Sequence, residues 1–196
     1  MKTRNLTLII IIGLILVLGG CGCGRYNQMV GQDENVKAKW ANVQSDYQRR
    51  ADLIPNLVST VKGAANFEQE TLTQVIEARA KATSMNVSAD SLTPEKIAQF
   101  QQAQGQLSGA LSRLLVTVER YPELKANQNF MDLQKQLEGT ENRIKVSRND
   151  FNTAVQGYNN TVRQFPNNIF AGMFGFRARQ PFTADPGAER APEVKF

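Results

Sequence analysis

Between Tyr26 and Phe165 the apolar residues of this chain return in steps of three and four, and proline and glycine are scarce. In the first segment Met29, Val36, Val43 and Leu57 share one heptad series, interrupted by the polar Arg50. Trp40, Tyr47, Ile54 and Val61 form the companion series four residues on, with the polar Asp33 in its upstream slot. A second segment opens at Thr93-Pro94, an N-cap residue followed by proline at the first helical position. It continues Ile97, Phe100, Gln104, Leu107, Leu111, Leu114, Val118, Tyr121. A third runs Phe130, Leu133, Leu137, Thr140, Ile144, Ser147, Phe151, Ala154, Tyr158, Thr161, Phe165. A seam of this period stays on one face only if the helices pack side by side with a left-handed supercoil. At 1.5 Å per residue the third segment alone is about 54 Å long. No stretch of useful length alternates as a strand does.

The predicted fold class is therefore all-α: an elongated antiparallel bundle of three long helices, preceded by an N-terminal signal or anchor segment. Thr83–Asp90 separates the first and second segments, and Pro122 with Asn127–Asn129 separates the second and third. Short connections of this kind favour antiparallel neighbours. Pro55 sits inside the first segment, where proline ordinarily costs about 3 kcal/mol and removes a hydrogen bond. The heptad phase nevertheless passes through it from Ile54 to Leu57 and Val61, which favours a kinked continuous helix over a break. The bundle has four helices if the first divides near Pro55, and Phe67, Leu72, Val75 and Ile76 carry the apolar face onward as a possible further helix after Gly63.

Both cysteines of the chain lie at the end of an oily leader. Lys2 and Arg4 are followed by an apolar run from Leu6 to Leu18 and then by Gly19-Gly20-Cys21. The run is of signal-peptide length and short of a comfortable bilayer span. Small residues before a cysteine suit a lipoprotein signal peptidase, which would leave Cys21 as the lipidated N-terminus. The alternative is an uncleaved transmembrane anchor. Either one places the body outside the cytoplasm, because Lys2 and Arg4 hold the N-terminus inside.

Composition narrows the chemistry. Histidine is absent, so the commonest general acid–base and metal ligand is missing. With both cysteines at the leader, the body holds no thiolate nucleophile or Cys/His zinc site. The formal charge of +5 is modest and includes Lys2 and Arg4; basic residues are interleaved with acids, which does not point to nucleic acid. No cofactor and no metal is expected.

Two stretches, "NVKAKWANVQSDYQRRADLIPNLVSTVKGAANFEQETLTQVIEARAKA" and "YPELKANQNFMDLQKQLEGTENRIKVSRNDFNTAVQGYNNTVRQFPNNIFAGMFGF", carry a resemblance that spans about residues 26–185. Trp40, Gln48-Arg49-Arg50, Leu53-Ile54-Pro55-Asn56-Leu57-Val58 and Glu141-Asn142-Arg143-Ile144 stand in the order found in the LemA family of bacterial membrane-associated proteins. The resemblance implies an N-terminally anchored antiparallel bundle in the cell envelope, and no established reaction. Many relatives carry a longer uncleaved span, from which Gly19-Gly20-Cys21 departs.

The expected organisation is a signal peptide or anchor at 1–20, a linker at 21–28, the bundle at 29–166, and a Phe-rich segment with a flexible tail at 167–196. Candidate interaction residues are Arg49, Arg50 and Pro55 in "YQRRADLIPNLV". A proline at 55 leaves the Ala51 carbonyl without its usual donor; Arg49 or Arg50 is read either as receiving an acidic partner or, for Arg50 on its seam position, as pairing with a bundle carboxylate such as Glu141. Glu138 and Glu141, clustered with Arg143, are candidates for acid–base work, and no catalytic residue is assigned. Gln104, Thr140 and Ser147 are expected to set the register of the seam or face water-lined gaps. "FPNNIFAGMFGFRARQPF" joins five phenylalanines to Arg177 and Arg179. Its glycines, Gly172 and Gly175, argue against a stable helix. It is read either as a tail folded back onto the bundle end or as an apolar patch with basic flanks, displayed through Phe170, Phe174 and Phe176. The function expected is that of a membrane-anchored, non-enzymatic adaptor or scaffold whose partners are the membrane and an unidentified envelope protein. The alternatives are a membrane-surface module built on the Phe-rich segment and, behind it, an enzyme using carboxylates.

Overall fold

The computed structural model describes residues 2–63 and 67–183, and of residues 2–21 the backbone alone. Cys21, the expected lipidation site, thus has its side chain outside the described residues, as has the tail from 184 on. Among the described residues there is no strand, and six helices follow in order. These are α1 (Lys2–Lys62), α2 (Gln69–Ser84), α3 (Pro94–Val118), α4 (Pro122–Lys125), α5 (Gln128–Arg163) and α6 (Asn167–Phe174), with a 3-10 turn at Ala89–Ser91. The fold class is the expected one. Among residues 22–63 and 67–183, whose side chains are described, no helix is long and apolar enough to cross a membrane.

The helix α1 is one piece. It passes through Pro55 without a break and ends only at Lys62, so the division that yields four principal helices comes after Gly63 and not near Pro55. Residues 21–28, expected to be a linker, are helical too. The two heptad series of α1 are buried as their spacing requires: Met29, Val36, Val43 and Leu57 in one, Trp40, Tyr47, Ile54 and Val61 in the other. The seam of α3 is buried from Ile97 to Val118, and that of α5 at Phe130, Leu137, Thr140, Ile144, Ser147, Phe151, Ala154, Tyr158 and Thr161. Caps match the sequence signals: Thr93 Oγ1 accepts from the Lys96 N–H ahead of Pro94, and Asn127 Oδ1 from the Phe130 N–H.

The bundle has two cores stacked along α1. In the upper one, α1 from Ile54 onward meets α2, α3 and the first half of α5 around Leu72, Val75, Leu107, Leu114 and Phe130. The lower one has fewer long helices. There α1 pairs chiefly with α5, and the loop after α2, the α6 helix and the residues beyond it cover the rest. Trp40 is its centre, within ring-contact distance of Phe100, Phe151 and Phe182, and its indole N–H donates to the Val87 carbonyl at 2.8 Å.

The Phe-rich segment corrects one expectation. Residues 167–174 form a helix despite Gly172, and Gly175, at φ +81°, closes it in the left-handed conformation by donating to the Ala171 carbonyl. Packing supplies what propensity lacks: Ala171 is buried, and Phe170 lies against Gly22, where an added Cβ would come within 3.2 Å of its ring. From Gly175 the chain climbs back along the bundle as a strap. Arg179 donates twice to Asp33 Oδ1, at 2.9 and 2.7 Å, while its backbone N–H and carbonyl are both held by Asn159. Three residues on, Asn152 holds the backbone of Phe182 in the same way, and the Phe182 ring stacks on Trp40. The strap is thus stitched at two residues three apart, Arg179 and Phe182, by two asparagines about two turns of α5 apart.

Because Phe182 is buried at the centre of the lower core, Phe182→Ala is expected to destabilise the fold by about 3 kcal/mol or more. Denaturant titration followed by Trp40 fluorescence measures this, and the native-state emission should shift to the red.

Candidate functional site

The apolar seam of α1 has two charged slots, Asp33 and Arg50, and each is answered from another element. Asp33 receives Arg179 of the strap. Arg50 is 1% exposed and lies between α3 and α5. Its Nη1 donates to Ser108 Oγ at 2.8 Å and pairs with Glu141; its Nη2 donates to Gln104 Oε1 at 2.6 Å. The guanidinium also lies 5.0 Å from the Tyr47 ring centroid, a cation–π contact. Glu141 is half exposed, so the pair has one foot in solvent. Arg50 Nε has no acceptor among the described residues. The expected Arg50–Glu141 pair is present. Gln104, one of the polar seam residues, turns out to be the inner half of the Arg50 cradle. Thr140 and Ser147 are buried on the seam as their spacing requires, and their hydroxyls bond back to the Gln136 and Ile144 carbonyls of their own helix.

Pro55 is explained by a residue the sequence did not single out. It has no N–H to give the Ala51 carbonyl, and Arg79 Nε of α2 donates there instead, at 2.8 Å. The helix keeps its course because a neighbouring helix replaces the missing donor. Pro55 itself is exposed, as is Arg49. The only sequence signal for Arg79 is its place on the half-buried side of α2, in line with Leu72 and Val75.

Above the Arg50 cradle α3 and α5 stand apart. A groove of about 750 Å³ runs between them, floored by Tyr47 and Arg50, walled by Gln101, Gln104, Glu141 and Arg148. The strap closes its lower end, where the Thr183 carbonyl accepts from Gln101 Nε2 at 3.0 Å and from Arg148 Nη2 at 3.3 Å. The walls offer amides, a carboxylate and a guanidinium over an aromatic floor, the mixture that receives an extended peptide or an amphipathic side-chain row. The two candidate acid–base carboxylates do not converge: Glu141 is committed to Arg50, and Glu138 accepts from Gln134 on the outer face. Among the described residues no three metal-ligating side chains come together. Below the groove, the loop after α2 is tied to α1 by Lys37, whose ammonium is held well above its usual range by Asp90 and Glu34. Asp90 is lowered in return, chiefly by its hydrogen bond from Lys37.

The interaction candidates in the Phe-rich segment part company. Phe170 and Phe176 are half-buried against the lower core, while Phe174 is exposed and meets Tyr26 edge-on at 5.0 Å. More exposed than any of them is Phe165, at 80%, although the α5 spacing had it as the last seam residue. The helix α5 ends at Arg163, two residues short of it, and the turn into α6 carries the ring off the seam.

Comparison with known proteins places this architecture. The family model described as LemA family matches residues 39–196, from just before Trp40 through the strap and tail. Magnetosome protein MamQ 2 of Paramagnetospirillum magneticum is 26% identical over 182 residues, covering 84% of this chain and 67% of the relative. Magnetosome protein MamQ of Magnetospirillum gryphiswaldense is 25% identical with the same coverage. Protein LemA of Metamycoplasma hominis is 22% identical over 148 residues, 76% of this chain and 64% of the relative.

Two pairs of substitutions separate the parts of this site. Arg79→Ala, which orphans the buried Ala51 carbonyl, should cost about 1–3 kcal/mol, and less than half of that when Pro55→Ala restores an amide donor. Gln104→Leu, which strips Nη2 of its short buried acceptor, should cost about 2–4 kcal/mol, whereas Glu141→Gln, half exposed and screened, should cost on the order of 1 kcal/mol. Chemical denaturation of the single and double variants measures both.

Proposed function

Because this chain belongs to the LemA family, we propose that it is a membrane-anchored, non-enzymatic protein of the cell envelope, an adaptor or scaffold working through protein–protein contacts. The anchor is the leader: acyl chains on Cys21, or the uncleaved apolar run. The bundle stands outside the cytoplasm as a rod, with α1 running from the anchor to its far end.

The observation that carries this reading is the groove between α3 and α5. It is roomy, lined by hydrogen-bonding side chains over the Tyr47 ring, and open along one face of the rod. Its one buried charge is neutralised in place by Glu141 and cradled by Gln104, an arrangement suited to a fixed surface. The relatives named as magnetosome proteins support a helical body of this kind serving a cellular assembly. A partner segment in the groove would find donors at Gln101 and Arg148 and an acceptor at Glu141.

A photo-crosslinking side chain at Ala98, on the groove wall, tests the proposal in intact cells, with Ala80 on the outside of α2 as the control. A discrete protein adduct from position 98, absent from position 80 and lost with Arg148→Glu, is the expected result. Equal labelling from both positions, or none from 98, would contradict it.

A further inference from the structure

Of the eight large apolar residues exposed among the described residues, five gather at one end. Phe165 is 80% exposed, Met173 72%, Ile169 53%, Phe174 49% and Tyr26 41%. Phe165, Ile169 and Met173 are spaced by four, so in α6 the latter two share one open stripe. The opposite side of α6 is spent on the bundle through Asn167 and Ala171. Phe170 on Gly22 and Phe174 on Tyr26 join α6 to the root of α1.

That end is also free of carboxylates in the chain that builds it. No Asp or Glu occurs before Asp33, nor between Asp150 and Asp185. The same stretches contribute Arg25, Arg163 and Arg177, and Arg179 answers Asp33. Apolar side chains framed by arginines without acids are the composition of a helix lying in the plane of an anionic bilayer surface.

Position along α1 agrees with that. The apolar run of the leader ends at Leu18; Gly22 lies four residues on and Tyr26 eight, about 6 and 12 Å along a helix. The headgroup layer beyond the hydrocarbon is on the order of 5–8 Å thick on each side. A helix clamped between Gly22 and Tyr26 therefore lies at the outer edge of the headgroups if the leader stays in place. If Cys21 is acylated instead, the acyl chains leave one residue from Gly22, and the level is the same.

We propose that α6, with Phe165 and Tyr26, is an interfacial foot: it seats on the anionic surface of the membrane that holds the anchor, and so fixes the angle at which the rod stands. The inference rests on the anchored reading above and adds a second, non-covalent attachment to it. Two attachments a few ångströms apart on different chain segments resist tilting as a single tether does not. The groove between α3 and α5, beginning at the level of Arg148 and Gln101, then faces a set height above the bilayer.

The test uses the full chain in vesicles of phosphatidylcholine and phosphatidylglycerol whose acyl chains are brominated near the carbonyl end. Met173→Trp puts a fluorophore on the open stripe. Val116→Trp puts one on an exposed site at the far end, and Trp40 lies buried about 33 Å beyond Leu18. The expected result is that vesicles float with the chain, that brominated lipid removes roughly half or more of the emission added at position 173, and that emission added at 116 is unchanged. Changing Arg163 and Arg177 to Gln, or omitting phosphatidylglycerol, should weaken the quenching at 173. A chain that floats with vesicles but leaves Trp at 173 unquenched overturns the foot and leaves the anchor standing, which hands the patch to a protein partner. A chain that does not float overturns both.

Discussion

The whole arrangement is referred to a single uninterrupted helix. Because α1 carries both heptad series from Met29 to Val61 without a change of phase, every other element can dock on it in register, and the two cores stack along one axis. A break at Pro55 would uncouple the upper core, since Ile54, Leu57 and Val61 lie at and beyond it. The continuity depends on one contact from outside the helix, Arg79 on the Ala51 carbonyl. Proline is tolerated in a helix interior where the freed acceptor is satisfied by a neighbour, and α2 is that neighbour.

The charged interruptions of the seam have a shared logic. A charge on a buried face must be paired and hydrogen-bonded, or it expels the elements around it. At Arg50 this draws in Gln104 and Ser108 from α3 and Glu141 from α5, so one side chain ties three helices at the height where the four-helix part begins. At Asp33 it draws in Arg179, which brings the strap after α6 back to the lower pair of helices. The lower core, short of a third long helix, is completed by Phe182 on Trp40. What look in a heptad listing like two defects are the points where the bundle specifies its connections.

Much of this was legible in the order of residues. Periodicity alone places Trp40, Leu107, Leu114, Ile144 and Phe151 in the core, because a buried stripe of that length leaves few alternatives, and it anticipates the pairing of Arg50 with a carboxylate of α5. What escaped it was decided by contacts between distant segments. Arg79 is an ordinary helix residue until Ala51 is seen opposite it. The α6 helix forms around Gly172 because Phe170 finds the bare surface of Gly22, a contact 148 residues away in the chain. Phe165 keeps the seam spacing and lies outside the core, since the spacing does not say where α5 stops.

A rod of this construction, with a groove on its flank at the level of Tyr47 and Arg50 and an arginine-framed apolar foot beside its anchor, separates its two kinds of contact along its length. The stacking of the upper core on the lower holds only if α1 is a rigid member through Pro55. The direct measurement is a pulsed electron–electron distance between spin labels carried on unnatural side chains at Ala38 and Ser59, which bracket Pro55 on exposed positions of α1. Twenty-one residues of unbroken helix place the labelled backbone positions about 32 Å apart, and a single narrow distribution near that value is the predicted result. A broad distribution, or a maximum several ångströms shorter, would mean that the helix gives way at the proline and that the two ends are not held in one orientation.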